Sequence, residues 1–446
     1  MRIILLSGGS GKGLWPLSNE ARSKQFLKLL KSPDGTPESM LQRIVRQIKE
    51  AGIDAPITIA TSVAQKDPIT SQLGNHVDVV TEPDRRDTFP AVALAATYLL
   101  DEKHCDDSET AVVMPIDAYT EQSYFSAVAD MARIVEEGKA KLALMGIRPT
   151  APSTEYGYII PQPADKKEKI LHVARFIEKP DEKTATALMA EGAYWNGGVF
   201  AFRLGYMKSI IERYIRISTY ETLRAKYDVL PQNSFDCEVA EKECSAVFVP
   251  FEGKWKDLGT WNSLTEEMSE NALGNVIISK DATNTHVINE SEVPLICLGT
   301  QDIVVAACPD GILVSDKKAC PQLKSYANLL TVRPMYEERR WGTYKVMGYN
   351  EFPDGHKALT KLLYLKPDCH ISYQYHNHRE EIWTFVDGEG RLIIDGVETK
   401  VGRGYVAHIK AGQKHAVRAI TDLQIIEVQV GSELIEEDIV RLDWKW

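Results

Sequence analysis

Over the first 150 residues, short apolar runs alternate with amphipathic ones. The runs RIILLS (2–7), PITIATS (56–62), VDVVTEP (77–83), TAVVMPID (110–117) and LALMGIRP (142–149) predict strands. Between them, PESMLQRIVRQIKEAG (37–52) places Met40, Leu41, Ile44, Val45 and Ile48 at helical spacing, with Thr36 and Pro37 as its start. FPAVALAATYLL (89–100) and QSYFSAVADMARIVEEG (122–138) predict two more helices. Strands alternating with helices imply a mostly parallel, doubly wound α/β sheet. Such sheets bind ligands at the carboxyl ends of their strands, where Asp117 and the loop after RIILLS would lie.

Near residue 270 the pattern changes to short β-like runs: NVIISK, THVINE, ICLGT, IVVAAC and GILVSD. These predict a small β unit. A turn-rich stretch around RPMYEERRWGTY then leads into ALTKLLYLKP, EIWTFVDGEG, RLIIDG, GYVAHIKAG and LQIIEVQVG. Their alternation and spaced Gly turns predict a small β-barrel or jelly roll. The expected boundaries are 1–268, 269–332 and 333–446.

Composition narrows the classes. A chain of 446 residues with 44% hydrophobic and 26% charged residues reads as a multidomain globular protein. A formal net charge of −11 argues against a broad nucleic-acid surface, while leaving room for a local phosphate pocket. No apolar run has the length of a membrane span, and MRIILLSGG lacks the layout of a signal peptide. Seven scattered cysteines without CxxC spacing read as reduced thiols, which predicts a cytoplasmic protein.

The candidate chemistry begins at LLSGGSGKGLWPL (5–17), with four glycines in six positions after a strand. Such a loop suits close backbone approach to an anion. A Walker A loop fails, because Leu6 and Gly13 stand where it needs Gly and Ser or Thr. A dinucleotide fingerprint fails at Leu14, and KQFLKLL offers no acidic residue downstream. Further polar stretches are SKQF (23–26), EPDRRDTFP (82–90), GIRPT with EYGYI, RFIEKP (175–180), YWNGGVF (194–200) and WKDLGTW (255–261).

In this order and spacing, these motifs resemble the mannose-1-phosphate guanylyltransferase family, in the long form that carries a C-terminal, type II phosphomannose isomerase-like cupin. The resemblance implies a Rossmann-like nucleotidyltransferase domain, a left-handed β-helix-like unit and a cupin β-barrel. It implies attack of a sugar 1-phosphate oxygen, most simply of mannose 1-phosphate, on the α-phosphorus of GTP. The products are GDP-mannose, a polysaccharide precursor, and pyrophosphate. Because the nucleophile is already an anion, the protein has to position two polyanions and neutralise their charge. By the resemblance, Gly8, Gly9, Ser10, Gly11 and Gly13, with Arg86, Asp87 and Thr88, receive the nucleotide. Lys24 meets phosphate oxygens, and Asp117 and Asp257 hold Mg²⁺; Lys12, where the family carries a small residue, is a further catalytic candidate of this chain's own. Lys179 meets the sugar phosphate, while Gly157, Glu178 and Asn196 grip the sugar.

The chain departs from the family pattern in places. The family's Arg of the glycine loop is Gly13 here, and Lys12 offers a charge one position earlier, without a bidentate fork. The family turn RNTAP is Arg86-Asp87-Thr88-Phe89-Pro90, and the His after the metal-binding Asp is Ala118. A related pyrophosphorylase with another base or sugar, or a sugar-nucleotide sensor without turnover, therefore stays open. In QYHNHREEIW (374–383), His376 and His378 are two apart on an expected strand, with Glu381 close by. With His415 they resemble a cupin site for one divalent metal (Zn²⁺, Mn²⁺, Fe²⁺ or Ni²⁺). Arg379 and Lys361 match charged isomerase positions, but Ile382 and Ala416 replace an expected His and Arg, which leaves isomerase activity open. The expected partners are an NTP and a sugar 1-phosphate, with no nucleic acid and no membrane; a homo-oligomer is also open.

Overall fold

Strand Arg2–Ser7 lies between the parallel strands Ile57–Ser62 and Thr110–Pro115, and Asp78–Glu82 extends this parallel block. Its run Ile3-Ile4-Leu5 is wholly buried, as a strand covered on both faces requires. The structure, a computed structural model, describes residues 1–446 except 10, 20–21, 164–168, 217–218, 331–332 and 436–437.

The sheet has nine strands and is mixed. Tyr194–Arg203 runs antiparallel between Thr110–Pro115 and Leu142–Ile147, and Val247–Phe251 lies parallel to the latter. Leu171–Ile177 and Tyr158–Pro161 complete the far side by antiparallel pairing. Helices Thr88–Asp101 and Ser123–Glu136 form where apolar periodicity predicted them. One helix starts later than expected. Ser39 and Gln42 make a reciprocal capping box, so the helix is Met40–Glu50, and Pro37–Glu38 pairs instead with Leu30–Lys31.

Packing divides the chain into two units: 1–10, 23–66 and 73–269 in the first, and 11–22, 67–72 and 270–446 in the second. In the second unit, the short strands Ala272–Gly274, His286–Asn289 and Ile303–Cys308 stack in parallel, as do Val276–Ile278 and Leu295–Cys297. This unit also holds the segment Gly11–Arg22. The Arg22 guanidinium donates to both oxygens of Glu290, at 2.6 and 3.0 Å. Asn19 donates to Asp310 at 3.2 Å, and the Cys308 thiol donates to the Pro16 carbonyl.

The remainder of the second unit is a two-sheet β structure of six and five strands. Its apolar core includes Leu363, Leu365, Trp383, Phe385, Val417 and Ile425. RPMYEERRWGTY is more regular than expected. Tyr336–Arg339 and Gly342–Glu351 form a hairpin, and Gly342 sits at φ 151°, where a Cβ would collide with the Tyr364 carbonyl. Among the described residues, no helix is long and apolar enough to cross a membrane.

Candidate functional site

Asp117 follows strand Thr110–Pro115, and a two-stranded ribbon brings Asp257 to it. Ala118–Thr120 pairs antiparallel with Trp255–Asp257, setting Asp257 opposite Ala118, and Leu258 donates to the Asp117 carbonyl. The Lys24 ammonium bridges the two carboxylates, 2.7 Å from Asp117 Oδ2 and 3.5 Å from Asp257 Oδ1. Burial alone would push the ammonium down, but Asp117 and Asp257 outweigh it and hold it up. Burial would likewise raise Asp117, yet Lys24 pulls it below the usual carboxylate range. Asp257 is pushed up, by burial and then by the Asp117 charge. Asp257 Oδ1 is buried without a hydrogen-bond partner. A paired-carboxylate oxygen left in this state suits a hard divalent cation.

Lys24 is held in place by a buried polar network that the sequence reading missed. Gln25 Nε2 donates to Ser7 Oγ and Gln65 Oε1, while Gln65 Nε2 donates to Ser23 Oγ at 2.7 Å. Thr61 Oγ1 donates to Gln65 Oε1 at 2.9 Å. Both neighbours of Lys24 are thus fixed to strand ends. The polar letters of SKQF hinted at this, but Gln65 lies in an unremarkable stretch and gave no signal.

The expected sugar-side residues come together around strand Tyr194–Arg203. Asn196 N donates to the Gly157 carbonyl at 2.8 Å. A Cβ at Gly157 would fall 2.8 Å from Phe176 Cζ and closer still to Glu178 Oε2, so the approach of Glu178 requires glycine. Lys179 Nζ lies 3.3 Å from Glu178 Oε1, on a backbone with φ 40°. Asp236, also missed, accepts a hydrogen bond from Asn196 Nδ2, while Asn196 Oδ1 accepts from Gly198 N. Burial, then the nearby Glu178 charge, pushes the Asp236 carboxyl up to about 6.

In the glycine loop, Gly9 and Gly11 have φ 109° and 68°, which glycine alone adopts without strain. A Cβ at Gly8 or Gly9 would meet nothing within 4 Å, so the backbone there is open to a ligand. Lys12–Leu14, including Gly13, forms a 3₁₀ turn within Gly11–Arg22. Ser10 lies outside the described residues. Arg86-Asp87-Thr88 is tied into the fold. Arg86 donates to the Leu230 carbonyl at 3.1 Å, Asp87 caps helix Thr88–Asp101, and Thr88 Oγ1 accepts from Phe235 N.

In the second unit, His376, Glu381 and His415 are buried, with potential ligand atoms all within 4.8 Å of one another. His376 Nε2 lies 3.1 Å from Glu381 Oε1, and His415 Nε2 lies 3.4 Å from Glu381 Oε2. His415 Nε2 is buried without a hydrogen-bond partner, so these residues fit a divalent ion. His378 does not join them. Its strand ends at His376, and the next begins at Arg379, so Asn377 and the exposed His378 form the turn, and the shared-face argument lapses there. Asp438 fixes that turn by accepting from both backbone N–H groups.

An internal cation faces the same carboxylate. Arg379 Nε donates to Glu381 Oε1 at 3.0 Å, and Arg379 Nη1 to the Ile435 carbonyl. Trp383 Nε1 donates to Glu381 Oε2 at 3.1 Å. Lys361 and Glu427 are also buried and sit in register on paired strands. Burial and the Glu381 charge push Glu427 up to about 8, against the pull of Lys361. Ala416 packs with Tyr373 and Ile393, an apolar setting for the position where an Arg was expected.

Comparison with known proteins bears on both sites. Residues 2–272 match the nucleotidyl transferase family, and residues 331–444 match the mannose-6-phosphate isomerase C-terminal family. The mannose-1-phosphate guanylyltransferase of Escherichia coli (strain K12) is 31% identical, over 98% of this chain and 97% of its own length. The xanthan biosynthesis protein XanB of Xanthomonas campestris pv. campestris is also 31% identical, over 99% and 97%. A crystal structure described as mannose-1-phosphate geranyltransferase from Thermus thermophilus is 28% identical, with TM-score 0.62. The match covers 74% of this chain and 99% of that one. With the carboxylate ribbon, these full-length matches show that the chain is a nucleotidyltransferase enzyme of the mannose-1-phosphate guanylyltransferase family, in the long form with a C-terminal cupin.

Proposed function

We propose that this protein joins mannose 1-phosphate to the GMP moiety of GTP, forming GDP-mannose and releasing pyrophosphate. The observation that carries this reading is the Asp117–Asp257 ribbon with Lys24 bridging both carboxylates. Mg²⁺ on that pair would supply charge neutralisation for the transferring phosphate. The open backbone at Gly8 and Gly9 would receive the nucleotide, together with Ser10, Gly11 and Gly13. Gly157, Glu178 and Asn196 would orient the sugar, and Lys179 would hold its phosphate, so that the 1-phosphate oxygen faces the α-phosphorus. Residues 1–268 would carry this reaction, 269–332 would form the β-helix-like unit, and 333–446 the cupin.

The test is pyrophosphate release with each of GTP, ATP, CTP and UTP against mannose 1-phosphate and glucose 1-phosphate, in Mg²⁺. GTP with mannose 1-phosphate should be turned over fastest. No release from any pair would end the reading, and faster turnover of another pair would reassign the substrate. Two arguments favour a cytoplasmic protein: all seven cysteines are free, and the substrates are nucleotide and sugar phosphates. In the cupin, His376, Glu381 and His415 would hold one transition-metal ion, with mannose 6-phosphate isomerisation as a second activity.

Position 13 makes a separate prediction. One charged contact to a transferring phosphate contributes roughly 10²–10³ in rate. If Lys12 supplies it, Lys12→Ala lowers kcat by that order, and Gly13→Arg adds little. Rapid turnover by Lys12→Ala, with a large gain from Gly13→Arg, would show that Lys12 does not compensate.

A further inference from the structure

The Lys24 ammonium touches both carboxylates that the proposed reaction assigns to Mg²⁺. It is 2.7 Å from Asp117 Oδ2 and 3.5 Å from Asp257 Oδ1, so it screens two like charges set side by side by the ribbon. The contact is well defined. Lys24 lies in the turn Lys24–Phe26, between Ser23 and Gln25, which the buried network fixes. The space is also tight, since a Cβ at Gly259 would lie 3.1 Å from Asp257 Oδ1 and 3.3 Å from Lys24 Nζ. A divalent ion shared by the two carboxylates would bring a double positive charge against this ammonium. The two cations cannot share the pair cheaply.

We propose that Lys24 and the divalent cation compete for the Asp117–Asp257 pair, so that metal entry turns the Lys24 ammonium away from the carboxylates and toward the substrate phosphates. This rests on the reading that the pair holds the catalytic metal. It gives Lys24 two successive partners. Acting as a counter-ion, it keeps the carboxylates together; released, it adds a positive charge where the triphosphate needs one. Metal and nucleotide then favour each other's binding, because the phosphates stabilise the displaced lysine that the metal requires.

The prediction is read in metal affinity. A cation admitted only to the lysine-displaced fraction binds more weakly by that fraction, so removing the competing charge should tighten Mn²⁺ binding at least about tenfold. The measurement is Mn²⁺ binding without nucleotide, by calorimetry or electron paramagnetic resonance, to the intact protein and to Lys24→Met. Subtracting the Mn²⁺ retained by Asp257→Asn removes the cupin contribution. Tighter binding by Lys24→Met, with a difference that shrinks when GTP is added, is the expected result. Equal or weaker binding by a folded Lys24→Met overturns the competition. Should that variant fail to fold, the unaltered protein serves. Acetylation of Lys24 by an amine-directed reagent, followed by peptide mass spectrometry, should rise as Mn²⁺ is added, and unchanged labelling while Mn²⁺ binds refutes displacement. Absence of any Mn²⁺ binding that depends on Asp257 overturns both this inference and the metal-pair reading. Normal Asp257-dependent binding without competition overturns the inference alone.

Discussion

Asp257→Asn should leave a folded protein whose pyrophosphate release is slower by about 10³ at saturating substrates. The change is nearly isosteric, and Lys24 keeps its closer partner, Asp117 Oδ2 at 2.7 Å, so the chain should still fold. It also removes a like charge beside Asp117, the second cause of the upward shift at Asp257 itself. Stability should therefore hold or improve while turnover collapses, a combination that a structural role would not produce. Raising Mg²⁺ should recover only part of the rate, because Asp117 alone remains and Lys24 still lies 2.7 Å from it. Turnover within a few-fold of the unaltered protein would remove Asp257 from the reaction.

A second large effect is expected in the cupin. Glu381→Leu should cost about 3–5 kcal/mol, since it strips one partner from a buried ion pair. Glu381 and Arg379 are 1% and 3% exposed, so the guanidinium would be left inside the barrel without that carboxylate, beside the Ile435 carbonyl and His376 Nε2. Trp383 Nε1 would lose its acceptor as well. Urea unfolding measures the loss, and Glu381→Leu combined with Arg379→Met should recover much of it, because the stranded charge goes too. Metal analysis of the same variants tests His376, Glu381 and His415 as ligands, with bound metal expected to disappear. A loss below about 1 kcal/mol would mean that water solvates the pair, contrary to its burial.

How far the sequence could be read followed from how local the physics was. RIILLS and TAVVMPID are central parallel strands and read as continuous apolar runs, so the carboxyl-end placement of Asp117 was legible. The mixed character of the sheet was not, because the direction of Tyr194–Arg203 depends on its partners and not on its own letters. Asp117 and Asp257 were named from motifs, yet only the register of the ribbon explains why they meet. His378 shows the opposite error. HxH spacing predicts a shared face only while the strand continues, and a turn anchored by the distant Asp438 ends it. Asp236 and Gln65 act through hydrogen bonds to Asn196 and Ser23, far from them in sequence, for which no spacing rule exists.

The anchoring of Gly11–Arg22 bears on how the protein is made. The partners of Arg22, Asn19 and Pro16 lie 268, 291 and 292 residues further along the chain. During synthesis at about 5–20 residues per second, the half-built loop waits roughly 15–60 s for Glu290, Cys308 and Asp310 to leave the ribosome. Until then its second half lacks those partners, and a chain terminated early or cleaved ahead of Glu290 would never acquire them. The anchoring of Gly11–Arg22 should therefore be completed late on the translating ribosome, after strands Arg2–Ser7 to Val247–Phe251 have been made.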